Sequence, residues 1–169
     1  HRRLGTYVEG WERRGSQRGA GEAAMKLSVR EPVVAGAFYP SSAAELDRQL
    51  DQLMPSGPEP HRLLACIAPH AGYVYSGSVA GKLFGHLELP RRIVVMGPNH
   101  TGLGAAIAEA PEDAWSTPLG PQRIDRELGE LLRARLPEAQ LDASAHRREH
   151  SIEVELPFLR RRRPDLVVL

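Results

Sequence analysis

One cysteine, Cys66, stands among 169 residues, which excludes an internal disulfide framework and fits a reducing compartment. No run of eighteen apolar residues occurs, so no membrane span is expected. The N-terminus has no apolar signal core, which argues against secretion and makes the cytoplasm the expected location. A net charge of +1 gives no sign of a polyanionic partner, neither nucleic acid nor an anionic membrane surface. Gly72 and Gly77 make no phosphate loop, because no Lys-Ser/Thr pair follows them and no Gly-x-Gly-x-x-Gly occurs. The initiating methionine is also missing: the chain starts at His1, and residues 1–24 are rich in Arg and Gly without apolar periodicity. They are expected to be disordered or foreign to a domain that begins near Met25. At the other end, Asp165–Leu169 reads as a strand stopped before any turn, so a chain incomplete at its C-terminus is expected.

What is present is ordinary for a soluble domain: 41% hydrophobic and 25% charged residues, with mass enough for one core. The organising stretch is Cys66-Ile67-Ala68-Pro69-His70-Ala71-Gly72-Tyr73. An apolar run over 63–68 ends at a proline and a histidine. The device recurs at Ile93-Val94-Val95-Met96-Gly97-Pro98-Asn99-His100. Between them, residues 76–87 have a helical pattern with small residues at Gly77, Ala80 and Gly81. Strand 63–68, that helix and strand 92–96 form a βαβ unit, whose crossover is right-handed and whose strands are parallel. His70 and His100 then leave the same sheet edge, where open α/β sheets bind ligands.

Around this unit, Pro32 and Pro40 keep residues 29–40 extended. A helix with Leu46, Leu50, Leu53 and Met54 on one face follows, to be capped by Ser41 or Ser42, with Glu45 three residues after Ser42 as in a capping box. Residues 105–108 suggest a short strand, and Trp115–Gly120 a turn with one large anchor. A helix over 125–136 is expected to bury Leu128, Leu131, Leu132 and Leu136. Residues 138–148 read as a polar loop. A last helix spans 151–163, with a kink expected at Pro157, and strand 165–169 returns to the sheet. Arg160–Arg163 match a helix C-terminus rather than a nucleic-acid patch.

Of seven histidines, four sit beside predicted element ends: His70, His100, His146 and His150. Neutral imidazole is a common ligand for Fe, Cu and Zn. Taken singly, a Pro-then-His turn reads as a strand terminator; the doubled device reads as one shared site. If His70 and His100 hold one ion, their ring nitrogens approach to roughly 3–4 Å. His150 lies at a helix start, where the dipole disfavours imidazolium and suits a base. Glu149 and Glu153 match the same helix start, or else orient a histidine. Tyr73 and Tyr75 either line the site or pack as half-buried residues. Cys66, inside its strand, is expected to be buried and inert.

Five motifs carry a resemblance: Ala35-Gly36-Ala37-Phe38-Tyr39-Pro40, Ala68–Tyr73 with Ser76-Gly77, Gly97-Pro98-Asn99-His100, Thr117-Pro118-Leu119-Gly120, and Glu149-His150-Ser151-Ile152-Glu153 with Leu156-Pro157-Phe158. In order and spacing they resemble the Memo family, whose prokaryotic members are protein B of the AmmeMemoRadiSam system. The likeness runs over about residues 29–169. It implies an α/β fold like that of class III extradiol dioxygenases, with a mainly parallel central sheet flanked by helices. Residues 25–169 would be the N-terminal portion of one such domain. It also implies a metal pocket with His70 and His100 as ligands and His150 beside them as the catalytic group. The family's third pocket group comes from a later motif that this chain does not contain. Glu155 stands where the family more usually has Gln. Fe(II), ahead of Cu or Zn, is the implied metal. Two functions follow from the resemblance: metal-dependent redox chemistry of the dioxygenase kind, or a non-enzymatic metal- or peptide-binding module acting with radical-SAM and AMMECR-type partner proteins.

Overall fold

A computed structural model describes residues 27–55 and 60–169 of the chain. The leader expected over 1–24 lies outside the described residues. In chain order the elements are β1 (Val29–Arg30), α1 (Ala43–Leu53), α2 (Tyr73–Gly85), β2 (Arg92–Ile93), β3 (Ile107–Glu109), β4 (Ala114–Trp115), β5 (Gln122–Arg123), α3 (Arg126–Arg135), β6 (Ala139–Leu141), α4 (Ala143–His146), α5 (Leu156–Arg162) and β7 (Val167–Val168). The fold is mixed α/β, built from helices and small sheets. β1 pairs in parallel with β4, and β4 antiparallel with β5. β2 pairs in parallel with β7, and β3 in parallel with β6. A bridge between Ile124 and Val168 brings the β2–β7 pair against the edge of the three-stranded sheet.

The core follows from the helical stripes. Leu46 and Leu50 of α1 are wholly buried, each contributing about 2 kcal/mol by removal from water. α2 lies close on α1 because Gly77 and Gly81 face Leu53; a Cβ on Gly81 would run into the Leu53 carbonyl. Phe158 of α5 closes this layer, 4.6 Å from the Tyr73 ring and stacked 5.5 Å from Phe84.

Several expectations need correction. Residues 63–68 form no ladder among the described residues; only His61 is bridged, to Leu87. No described strand lies alongside to take their backbone groups, and Leu64 and Ile67 are fully exposed. Cys66, expected to be buried there, is therefore exposed. The Ser42 side chain makes no capping bond, so the expected box does not form. α2 begins three residues early, at Tyr73, because Gly72 releases the chain into the helix at once. Leu131 points outward, 55% exposed, while Asp125 caps α3, its carboxylate accepting the Leu128 N–H. The polar loop over 138–148 contains β6 and α4. The last helix is broken rather than kinked: a tight 3₁₀ turn over Glu153–Glu155 precedes α5, and Pro157 sits in the first turn of α5, where its missing N–H costs nothing. The arginines of α5 and its C-cap clamp loops: Arg160 donates to the Leu119 carbonyl, Arg162 to that of Leu87 and the C-cap Arg163 to that of Leu89. Among the described residues no helix is long and apolar enough to cross a membrane.

Candidate metal centre

Two short loops meet at the end of β2. After β2 the chain runs through Gly97-Pro98-Asn99 to His100. Gly97 is needed because a Cβ there would strike the Ser151 hydroxyl and lie 3.1 Å from Ile152. The Asn99 side-chain oxygen accepts N–H bonds from Thr101 and Gly102, both at 3.1 Å, which bends the chain back after His100. The Ser151 hydroxyl donates to the Pro98 carbonyl at 2.9 Å and pins the His100 loop to the His150 segment. The glycine-proline-asparagine run is thus a docking surface for Glu149-His150-Ser151.

Glu149 is the hub of this contact. Its Oε1 accepts from His100 Nδ1 at 2.9 Å and from the backbone N–H groups of His150 and Ser151 at 2.8 and 2.9 Å. Its Oε2 accepts the His100 backbone N–H at 2.5 Å. Burial alone would raise this carboxyl, but the four hydrogen bonds outweigh it and push it down to about 2. Because the anion takes the Nδ1 proton of His100, the Nε2 lone pair is left free for a ligand.

Three imidazoles converge above it. The ring centroids of His100 and His150 are 4.7 Å apart and stacked; His70 lies 5.3 Å from His100 and 6.1 Å from His150. Donor atoms of His100, Glu149 and His150 all fall within 4.8 Å of one another, a group able to hold one cation. His70 stands at its rim. Burial, then the neighbouring His100 and His150, lower the His70 pKa and favour its neutral, ligating form. Phe38 meets the His150 ring edge-on at 4.9 Å, and its carbonyl accepts the Tyr73 N–H that starts α2.

The fourth candidate, His146, is elsewhere: it is buried, edge-on to Trp115, with Nε2 3.3 Å from the Ala108 carbonyl. Tyr73 is also in the core, donating to the Val154 carbonyl, while Tyr75 is exposed. Glu153 orients no histidine. It forms a buried pair with Arg30 at 2.7 Å and accepts from Val33, Val34 and the Tyr39 hydroxyl. Arg30 also donates to the carbonyls of His146 and Glu149 and covers Trp115 at 4.0 Å. It fixes the backbone that carries the hub. Arg30 gave no signal in the sequence beyond a charge next to a proline-rich segment. Phe38 was legible only as part of a motif.

The fold is a mixed α/β scaffold carrying a histidine–carboxylate cluster between two loops. A family model described as Memo-like protein matches residues 30–169, and the chain belongs to the Memo family. It is 47% identical over 138 residues to a MEMO1 family protein of Aquifex aeolicus, covering 80% of this chain and 51% of that protein. It is 42% identical over 147 residues to a MEMO1 family protein of Desulfurococcus amylolyticus, covering 79% and 52%. To that of Methanococcoides burtonii it is 44% identical over 133 residues, covering 78% and 49%. The chain thus spans about half the length of these curated relatives.

Proposed function

We propose that this chain carries a metal-binding pocket in which His70 and His100 are ligands and His150 handles a proton. The observation that carries the reading is the Glu149 hub. A buried anion holds His100 by its Nδ1 proton, and the same oxygen anchors the His150 backbone. Such a carboxylate–histidine pair is the arrangement that fixes tautomer and direction at metal sites. With all four of its hydrogen bonds made, Glu149 acts as the positioning residue rather than as a ligand.

Fe(II) suits imidazole donors and is the metal proposed, ahead of Cu or Zn. When bound, it would supply one-electron redox chemistry, as in class III extradiol dioxygenases, whose mainly parallel sheet is proposed for the family-length domain of which residues 25–169 form a part. His150, partly buried against Phe38, would take a proton from a phenolic oxygen and return it. Phe38 shields that ring from water. The cytoplasm is the proposed compartment, since Cys66 is unpaired and exposed.

A second reading, a metal- or peptide-binding module working with radical-SAM and AMMECR-type proteins, is favoured by one observation. Leu64, Ile67, Val74, Tyr75 and Met96 are largely exposed near the His70 loop, an apolar surface of the kind that meets another polypeptide.

The test is elemental analysis after anaerobic Fe(II) loading and desalting. About one iron per chain is expected, lost in His70→Ala/His100→Ala and kept in His86→Ala, whose ring only bonds the Lys82 carbonyl. His150→Ala should keep the iron and lose oxygen uptake with catechol. Equal iron in the double variant and the parent would sink the shared site. Iron binding without oxygen uptake would favour the second reading.

A further inference from the structure

The three clustered histidines are not held alike. Glu149 fixes His100 by its ring and His150 by its backbone N–H. His70 comes from the loop that leads into α2, and among the described residues no carboxylate holds its ring as Glu149 holds that of His100. Its ring still stands 5.3 Å from His100 and 6.1 Å from His150. A contact outside the hub must set that spacing, because donors serve one site only when each is held to within about 0.5 Å.

The contact comes from residues 33–39. Glu153 anchors this segment at both ends, accepting the N–H of Val33 at 3.0 Å, that of Val34 at 2.9 Å and the Tyr39 hydroxyl at 3.0 Å. Inside it the Gly36 N–H donates to the Tyr39 carbonyl at 2.7 Å and the Phe38 N–H to the Val34 carbonyl at 2.8 Å. Gly36 makes this turn at φ +84°, a conformation open to glycine. The turn carries Phe38 between the His70 loop and His150. On one side its carbonyl accepts the Tyr73 N–H at 2.8 Å, and Gly72 lies against it: a Cβ there would stand 3.5 Å from the Phe38 Cα and 3.7 Å from its ring. On the other side its ring meets His150 edge-on at 4.9 Å. The Ser76 hydroxyl donates to the Ala71 carbonyl at 2.9 Å, so the residue after His70 moves with α2. The Tyr73 hydroxyl, bonded to the Val154 carbonyl, ties the same helix start deeper in the core.

We infer that Phe38 is a positioning residue of the histidine cluster: wedged between Gly72 and His150, it sets the distance of His70 from the His100–His150 pair. This role deepens the proposed metal pocket and rests on it for its purpose, while the spacing itself can be read without metal.

The test uses the whole chain with ¹³C-labelled histidine and no metal, the ring signals being assigned with His70→Gln, His100→Gln and His150→Gln. Nuclear Overhauser contacts between His70 and His100 and between His100 and His150 are expected in the parent. Phe38→Ala should lose the first and keep the second, which Glu149 maintains; Phe38→Tyr should keep both. Phe38→Leu, which retains apolar bulk but has no ring to reach His150, serves the same end if the alanine variant does not fold. In a competition titration Phe38→Ala should weaken Fe(II) binding about 10- to 100-fold, as the loss of an outer support does, with Phe38→Tyr close to the parent. A His70–His100 contact that is absent from the parent, that survives in folded Phe38→Ala, or that disappears together with the His100–His150 contact would each overturn the assignment. The expected contacts in a parent that binds no iron would sink the metal pocket and leave the positioning role standing.

Discussion

Glu155 offers the sharpest energetic test of the fold. It lies in the 3₁₀ turn before α5, 6% exposed, and among the described residues neither carboxyl oxygen has a hydrogen-bond partner. Burial raises its pKa from 4.5 to about 8. The folded chain therefore keeps a proton on Glu155 that the unfolded chain gives up. Below pH 4.5 both states hold the proton and the group is neutral to stability. Between pH 4.5 and about 8 only the folded state holds it, so stability falls as pH rises; above about 8 the loss is complete. Each pH unit in that window costs about 1.4 kcal/mol, so roughly 3 kcal/mol is lost by pH 7. Glu155→Gln removes the ionisation and keeps the shape. Any cost of burying the amide is the same at every pH. Urea unfolding followed by circular dichroism at pH 5, 6, 7 and 8 measures both proteins. The variant should gain on the parent by roughly 3 kcal/mol or more between pH 5 and pH 8. The contribution of every other titrating group cancels in that difference. Two stability profiles running parallel in pH would refute the reasoning, because they would mean that Glu155 is ionised in the folded chain.

Glu153→Ala should leave the Arg30 guanidinium buried without its partner, costing about 3–5 kcal/mol, read as a shift of the urea midpoint. Gly81→Ala should separate α1 from α2 at Leu53 and lower stability by roughly 1–3 kcal/mol, against less than 1 kcal/mol for Ser78→Ala on the exposed face of the same helix. Glu149→Gln loses the anion that takes the His100 proton. It should weaken Fe(II) binding about 10- to 100-fold in a competition titration while leaving the fold intact by circular dichroism.

The sequence was most readable where chemistry and backbone geometry coincide. The Pro-then-His endings, the glycine at 97 and the Glu-His-Ser run are local signals, and they converge because Gly97 and Ser151 interlock. The aliphatic stripes at Leu46 and Leu50 placed α1 for the same local reason. What was not readable depends on distant partners. Whether residues 63–68 join a ladder is decided by what lies beside them, and an apolar run cannot reveal its neighbour. Cys66 was misplaced as a direct result. Glu153 looked like one more acid at a helix start, because its partner Arg30 is 123 residues away. Leu131 fits the apolar stripe of α3, yet Gly129 is the residue that α3 buries and Leu131 is left in solvent.

The reach of Arg30 also fixes when this site comes into being. Its bonds to His146, Glu149 and Glu153 close loops of 116, 119 and 123 residues. Contacts of such separation form slowly, after local helices have appeared. During synthesis α1 and α2 can pair while the Glu149 hub is still unmade, and the histidines of the first two loops emerge with nothing to orient them. Metal capture at the proposed site would therefore be a late event of folding, coupled to the arrival of the segment that carries Glu149. A ribosome-bound chain halted before residue 149 would present His70 and His100 as two unrelated imidazoles.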